Sequence, residues 1–168
     1  FITERFHDYA HLVLNQGNEG ACTGFGLAAV VNYLLWKRGE DGGSRHEESV
    51  SPRMLYRLAR LYDEWPGEDY EGSSCRGAMK GWHRHGVCSE SLWRSDDLAD
   101  KPDRGSAAKS AKKTAVKRSA EKPDPLWAED AAKRPLGAYY RVAKDSIVDM
   151  QSAIAEVGAI FCSAETHA

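Results

Sequence analysis

The longest apolar run of the sequence lies between Phe25 and Trp36. Its apolar residues cover nearly every side of a helix instead of one stripe, which is typical of a helix buried in a domain core. The turn-rich residues 15–20 come just before it and contain two glycines, whose backbones can adopt positive φ. We therefore predict a helix from Cys22 to about Trp36, with the Cys22 thiol at its N-terminus.

Two further helices are predicted from their start and stop signals. At Ser51-Pro52 the serine is a favourable N-cap and the proline suits the first helical position, so a helix should run through Met54 to Tyr62. The segment from about Cys75 to His85 is followed by Gly86, a residue favoured at helix C-termini. The first hundred residues are therefore expected to form a helical unit.

The pattern changes near the end of the chain. Ile147, Met150 and Ile154 have the spacing of a short amphipathic helix, and after Gly158 the residues 159–162 form a strand-like apolar run. We expect a β-rich region to begin in this part of the chain.

Residues 101–122 differ in composition from both regions. They contain eight Lys or Arg against two acidic residues, a net charge of +6, with mostly alanine and serine between them. Because large apolar side chains are scarce, burial cannot offset the ordering entropy, and we interpret the segment as a solvated insertion. The alternatives are a weak contact with nucleic acid or an acidic partner, nonspecific because stacking aromatics are absent, and an exposed processing site. The expected division is a helical lobe at 1–100, a basic low-complexity insertion at 101–125, and the start of a β-rich lobe at 126–168.

The overall composition is that of an ordinary globular protein. Apolar residues make up 42% of the 168 residues and the formal net charge is -2, so the protein is not basic throughout. No run approaches the ~18 apolar residues of a membrane span, and we expect no membrane contact. Four cysteines are too few for a disulfide-stapled domain, and Cys75, Cys88 and Cys162 are expected to be buried thiols. The sequence does not indicate a cellular compartment.

The surroundings of Cys22 favour a reactive thiol. A helix N-terminus carries partial positive charge, which favours the nucleophilic thiolate form. A carbonyl attacked by sulfur becomes an oxyanion that needs fixed hydrogen-bond donors, and the Cys22 backbone N–H and the Gln16 side-chain amide could supply two. Gly17 and Gly20 would let the backbone fold closely around that oxyanion. We therefore predict Cys22 and Gln16 as catalytic residues, the alternative being a glycine-rich helix entry with a buried cysteine.

The run Gln-Gly-Asn-Glu-Gly-Ala-Cys-Thr-Gly-Phe at 16–25 resembles the active-site segment of papain-like cysteine peptidases, in particular bacterial-type members of the C1-type branch. The apolar helix, the pair Gly72-Ser73 and a helix ending in Gly86-Val87 follow in the family's order. The resemblance implies an α+β, papain-like fold with a helical left lobe and the start of a β-rich right lobe, incomplete within these residues. It also implies cysteine-type endopeptidase activity on peptides or proteins, with no cofactor and no metal.

The same resemblance implies where a substrate would bind. Gly72 and Ser73 would line the cleft between the lobes and offer backbone hydrogen bonds to an extended peptide. Ser74 and Cys75 would border the pocket for the second residue before the scissile bond.

The sequence departs from the family in the residues that accompany the thiol. Glu19 stands where many eukaryotic members have a disulfide cysteine, and Thr23 stands where they usually have Trp. The family also needs a His to pair with the thiol and an Asn to orient it, yet no Asn follows Asn32. His167 is expected to be a bystander, because the residues before it resemble a strand that precedes the catalytic His. The base is then expected beyond residue 168, in the remainder of the catalytic domain, and residues 1–168 alone should not hydrolyse peptides.

Two other functions stay open, a noncatalytic peptidase-like domain that binds peptides and a thiol acyltransferase of the same fold. A metal site is the less favoured reading of His83, His85 and Cys88, with Cys75 nearby. The two histidines fall on different sides of the predicted helix, which favours surface residues over converging ligands.

Overall fold

The computed structural model describes residues 10–17, 19–40, 48–63, 72–94 and 123–164. The basic segment 101–122 and His167 lie outside these residues, so what is expected of them stays a prediction. The described helices, in chain order, are α1 (Cys22–Glu40), α2 (Pro52–Leu61), α3 (Cys75–His85), α4 (Trp127–Ala131) and α5 (Ile147–Val157). Short 3-10 turns lie at Ala10–Leu12 and Glu90–Leu92. No described helix is both long enough and apolar enough to cross a bilayer.

Helix α1 begins at Cys22, as predicted, and ends at Glu40, beyond the predicted end near Trp36. The extra turn carries Lys37 and Arg38, whose positive charge interacts favourably with the C-terminal end of the helix dipole. No residue from Thr23 to Trp36 is exposed. The all-round apolar run therefore forms a helix with no exposed side, in which Leu27, Ala28 and Val31 are buried and Tyr33 to Trp36 are partly buried.

The core lies where α2 packs against both α1 and α3. Leu27 of α1, Leu55 of α2 and Trp82 of α3 belong to one buried cluster. Each large side chain so buried stabilises the fold by roughly 1.5–3 kcal/mol. Gly81 lets α3 approach α2 closely, because a methyl group there would lie 2.6 Å from Leu58 Cβ.

The helix ends follow the capping residues of the sequence. Ser51 Oγ accepts the Met54 N–H at 3.0 Å at the start of α2, and Ser74 Oγ accepts the Gly77 N–H at 3.0 Å at the start of α3. Gly86 follows α3 with φ of 72°, a conformation that favours glycine. The predicted bounds of α2 and α3 are confirmed to within a residue.

Helix α4 is absent from the prediction, because a helix of one turn leaves little periodicity to read. It packs against the segment after α3, and Ala131 is fully buried there. The Asp130 carboxylate accepts the Ser89 N–H at 2.8 Å and Arg134 Nη1 at 2.7 Å. Burial raises the pKa of Asp130, but these hydrogen bonds and the positive charge of Arg134 outweigh it and hold the pKa at about 2. We call this arrangement the α4 clamp.

The strand predicted at 159–162 does not form. Among the described residues the β-type pairing is a single bridge between Val50 and Ser89, and 159–162 have no strand beside them. A strand needs a neighbour to satisfy its backbone groups. Residues Ala159 and Ile160 instead lie along α1, across a groove of about 350 Å³. Helix α5 is confirmed, while the β-rich lobe stays a prediction.

Candidate active site

The thiol of Cys22 is exposed at the start of a firmly anchored helix. Cys22 itself is exposed, whereas Ala21 before it and Phe25 one turn later are buried. The N–H groups of Gly24 and Phe25 both donate to the Ala21 carbonyl, which closes the first turn. The N–H groups at the very start of a helix, here those of Cys22 and Thr23, have no acceptor within the helix. The thiol is therefore accessible at the end of a rigid element, on a residue whose own N–H is one of these donors.

A tight turn brings Gln16 back to this point. Asn15 Oδ1 accepts the Gly17 N–H at 3.0 Å, and the Gln16 carbonyl accepts the Glu19 N–H at 3.3 Å. Gly17 has φ of 59°, in the left-handed region where a Cβ would be strained. Leu12, only 1% exposed, anchors the chain before the turn. The glycine that the sequence placed next to Gln16 is thus required by the turn.

The Gln16 amide and the Cys22 thiol are in contact. Gln16 Nε2 lies 3.1 Å from Cys22 Sγ and 3.0 Å from the Glu19 carbonyl oxygen. The structure therefore brings together the two residues predicted as nucleophile and oxyanion donor. An amide this close to the sulfur can donate a hydrogen bond to an oxyanion that forms on an attached carbonyl carbon.

The turn that runs from Asn15 to Glu19, called the Gln16 turn below, is joined to α2 by an ion pair. Arg53 Nη1, in the first turn of α2, lies 2.6 Å from Glu19 Oε1. Their side chains are only 11% and 21% exposed, so solvent screens the pair less than it screens a surface pair. Sequence reasoning missed this contact, because two opposite charges 34 residues apart carry no local signal.

Ser73 contacts the residue that follows Cys22. Its Oγ is 2.5 Å from the hydroxyl of Thr23, the residue after Cys22. Ser73 and Gly72 belong to the irregular segment that leads into α3, and both are partly exposed. The structure thus brings Ser73 into contact with the residue that follows the nucleophile, and Gly72 precedes Ser73 in the same segment. The backbone hydrogen bonds that they are expected to offer a substrate stay a prediction.

An open cleft of about 430 Å³ borders the site. Its described lining consists of Val13, Leu14, Asn15, Gln16, Cys22, Phe25, Gly26 and Ala29. A mostly apolar wall with a thiol and an amide at one end is the composition expected of a site that binds an organic substrate. No histidine lines this described part of the cleft.

The two described histidines of α3 have partners elsewhere. His85 Nε2 is 2.6 Å from the Tyr62 hydroxyl, and the rings of His83 and Tyr139 pack in a T-shaped arrangement with centroids 5.6 Å apart. Over the described ranges, no three His, Cys, Asp or Glu side chains are grouped as metal ligands. Neither histidine is therefore placed as a partner of Cys22.

The four cysteines are all free and differ in their environment. Cys88 is buried, and this burial, with the negative charge of Asp130, raises its pKa to about 12. Cys75 is partly exposed and Cys162 is exposed, so the expectation of a buried thiol is confirmed for Cys88 and wrong for Cys162. The apolar run that ends at Cys162 forms no strand, which leaves that side chain uncovered.

Comparison with solved structures finds the crystal structure of xylellain, a cysteine protease from Xylella fastidiosa. The two chains are 27% identical and align with a TM-score of 0.59 over 88% of this chain. The fold is that of a papain-like cysteine peptidase. The aligned region is 50% of the xylellain chain, so residues 1–168 span about half of its length. No protein-family model and no curated protein sequence matches this chain.

The same comparison shows which part of that fold the described helices correspond to. The described residues are mostly helical and correspond to a helical lobe of the papain-like peptidase fold. It supports a cysteine-peptidase-like function at that general level.

Proposed function

We propose that this chain carries the nucleophile half of a papain-like cysteine endopeptidase of the bacterial-type C1 branch. The observation that carries the proposal is the 3.1 Å contact between Gln16 Nε2 and Cys22 Sγ at the start of α1, beside an open cleft. The likeness to a bacterial cysteine protease agrees with it.

In the proposed reaction the Cys22 thiolate attacks the carbonyl carbon of a peptide bond. The carbonyl π electrons move to oxygen, and the resulting oxyanion accepts hydrogen bonds from the Cys22 backbone N–H and from Gln16 Nε2. Collapse of the intermediate expels the amine, which takes a proton, and leaves an acyl thioester on Cys22. Water then attacks the thioester and releases the acid and the free thiol.

The proton transfers need a general base, which we place outside residues 1–168. The described cleft is not lined by histidine, and the solved neighbour is twice as long as the aligned region. A His that pairs with Cys22, and a residue that orients this His, would come from the remainder of the catalytic domain. In this proposal, residues 1–168 depend on the remainder of the catalytic domain for their general base.

The substrate is proposed to be an extended peptide or protein segment. The hydroxyl of Ser73 contacts Thr23, the residue after the nucleophile, and this contact supports Gly72 and Ser73 as backbone partners for such a chain. From its composition, the basic segment 101–122 is proposed as a solvated insertion, and a weak contact with nucleic acid or an acidic partner is the alternative.

Hydrolysis of a quenched fluorescent peptide pool by the complete gene product tests the proposal. Cys22→Ala should abolish cleavage, while Cys162→Ala, which removes another exposed thiol, should leave it unchanged. Gln16→Ala should lower kcat/KM about 100-fold or more, as loss of one oxyanion donor does, and Gln151→Ala on the exposed face of α5 is its control.

Residues 1–168 alone should release no product. Cleavage by Cys22→Ala would refute the proposal, and cleavage by residues 1–168 would show that the base lies within them. An inactive complete protein that still binds peptides would favour the noncatalytic domain. A product acylated on an added amine would favour the acyltransferase.

A further inference from the structure

Glu19 touches the proposed machinery through two different groups. Its carbonyl oxygen accepts an N–H of the Gln16 amide at 3.0 Å, and its carboxylate accepts Arg53 Nη1 at 2.6 Å. A side-chain amide nitrogen carries two hydrogens, and the second is available to Cys22 Sγ at 3.1 Å. Because a carbonyl oxygen can only accept, the Glu19 contact also determines which end of the amide is the nitrogen. The backbone position of Glu19 thus decides where the Gln16 donor points.

Arg53 is suited to hold that position. It is the second residue of α2, next to Met54 and close to Leu55, and both of these are fully buried in the core. The contacts described within the Gln16 turn join residues no more than three apart, whereas the Arg53 contact spans 34 residues of sequence. The ion pair therefore ties a locally folded turn to the rigid part of the lobe.

We propose that Arg53 is a positioning residue, which acts through Glu19 to keep the Gln16 amide directed at the reacting sulfur. This inference rests on the proposed function for its catalytic consequence, but the orientation of Gln16 can be measured without turnover. Loss of Arg53 would let Glu19 and the turn shift, so that the amide donates to the oxyanion only part of the time. The nucleophile itself would be intact.

A double-mutant cycle in the complete gene product tests the catalytic part. Arg53→Met should lower kcat about tenfold with KM nearly unchanged, because the lost interaction forms in the transition state. Arg53→Lys, which keeps the charge, should recover part of the loss. Adding Arg53→Met to Gln16→Ala should cause little further loss, because the donor is already gone. Additive losses would overturn the proposal, since Arg53 would then act independently of Gln16.

Exchange of the Gln16 side-chain amide protons, measured by NMR on residues 1–168, tests the orientation directly. The sequence contains only two glutamines, so Gln151, exposed on α5, serves as an internal reference. The Gln16 protons should exchange more slowly than those of Gln151, and Arg53→Met should remove the difference. Arg57→Met, which makes the same change at an exposed site of α2, should not.

The two measurements separate the two ideas. If Arg53→Met keeps the fold and does not change the exchange rate of the Gln16 side-chain amide protons, the positioning proposal is wrong, regardless of its effect on hydrolysis. If exchange responds as expected but Cys22→Ala leaves hydrolysis intact, the proposed function is wrong and the contact is only structural.

Discussion

Replacement of Gly24 by alanine should force apart the two helices that frame the site. The added methyl group would lie 2.5 Å from the Pro52 carbonyl oxygen, 2.6 Å from Tyr56 Cβ and 2.8 Å from Tyr56 N, where ordinary contacts are 3.4 Å or more. Two of these atoms are backbone, so no side-chain rotation can relieve the overlap. Helix α2 would have to retreat from α1 by about 0.9 Å.

The expected cost follows from that displacement. Overpacking of a close interface costs roughly 1–3 kcal/mol, and a gap of this size forfeits a quarter to a half of each dispersion contact along it. Alanine in a helix recovers about 1 kcal/mol of intrinsic propensity relative to glycine. Gly24→Ala should therefore lower the free energy of unfolding by up to about 2 kcal/mol.

Gly26→Ala is the matched control for Gly24→Ala. Gly26 lies in the same helix, and a methyl group there would lie 3.3 Å from the outer ring atom Cε2 of Phe161, which can move. This variant should be as stable as the parent chain or slightly more stable, because the propensity gain is kept. Urea unfolding of residues 1–168 followed by circular dichroism measures both. Equal stability of the two variants would show that α2 does not press on α1 at Gly24.

Three other expectations concern the clamp, the thiols and the caps. The pKa of Asp130 is lower in the folded protein than its unfolded value of 3.8, so the ionised carboxylate adds stability that is complete above pH 3.8 and disappears as the pH falls towards about 2. Asp130→Asn should remove this pH-dependent stability, which is on the order of 1 kcal/mol. Urea melts between about pH 2 and 6 measure it. In native protein at about pH 7.5, iodoacetamide should modify Cys162 well before Cys88, because the Cys88 side chain is buried and its pKa is raised. Mass spectrometry that finds the two cysteines equally modified would contradict this packing. Ser51→Ala should lower the free energy of unfolding by about 2–3 kcal/mol, because Ser51 is buried, caps α2 and donates its hydroxyl to a backbone carbonyl. Ser146→Ala, at the N-cap of α5, should lower it by about 1 kcal/mol or less.

Local signals in the sequence were enough to locate the three helices that build the site. Ser51 and Gly86 determine the helix ends through contacts with near neighbours, and the Gln16 turn depends on Gly17 beside it. The contact between Gln16 and Cys22 joins residues six apart, which is why a motif could predict it.

Contacts between distant segments could not be predicted in this way. The α4 clamp depends on Asp130 meeting Ser89, 41 residues earlier, and Arg53 meets Glu19 across 34 residues. Ile160 is apolar enough for a strand, yet the described structure gives its segment a helix as neighbour instead of another strand. Tertiary context decides such positions, because β preference largely reflects what a side chain packs against.

The most direct test of the central claim is to trap the acyl group during turnover. The complete gene product would be mixed with a peptide ester, quenched in acid within milliseconds, and digested for mass spectrometry. A thioester on the peptide that contains Cys22, diminished in Gln16→Ala and absent in Cys22→Ala, is the predicted result. Hydrolysis that proceeds with no acyl group on Cys22, or with the acyl group on another residue, would contradict the account.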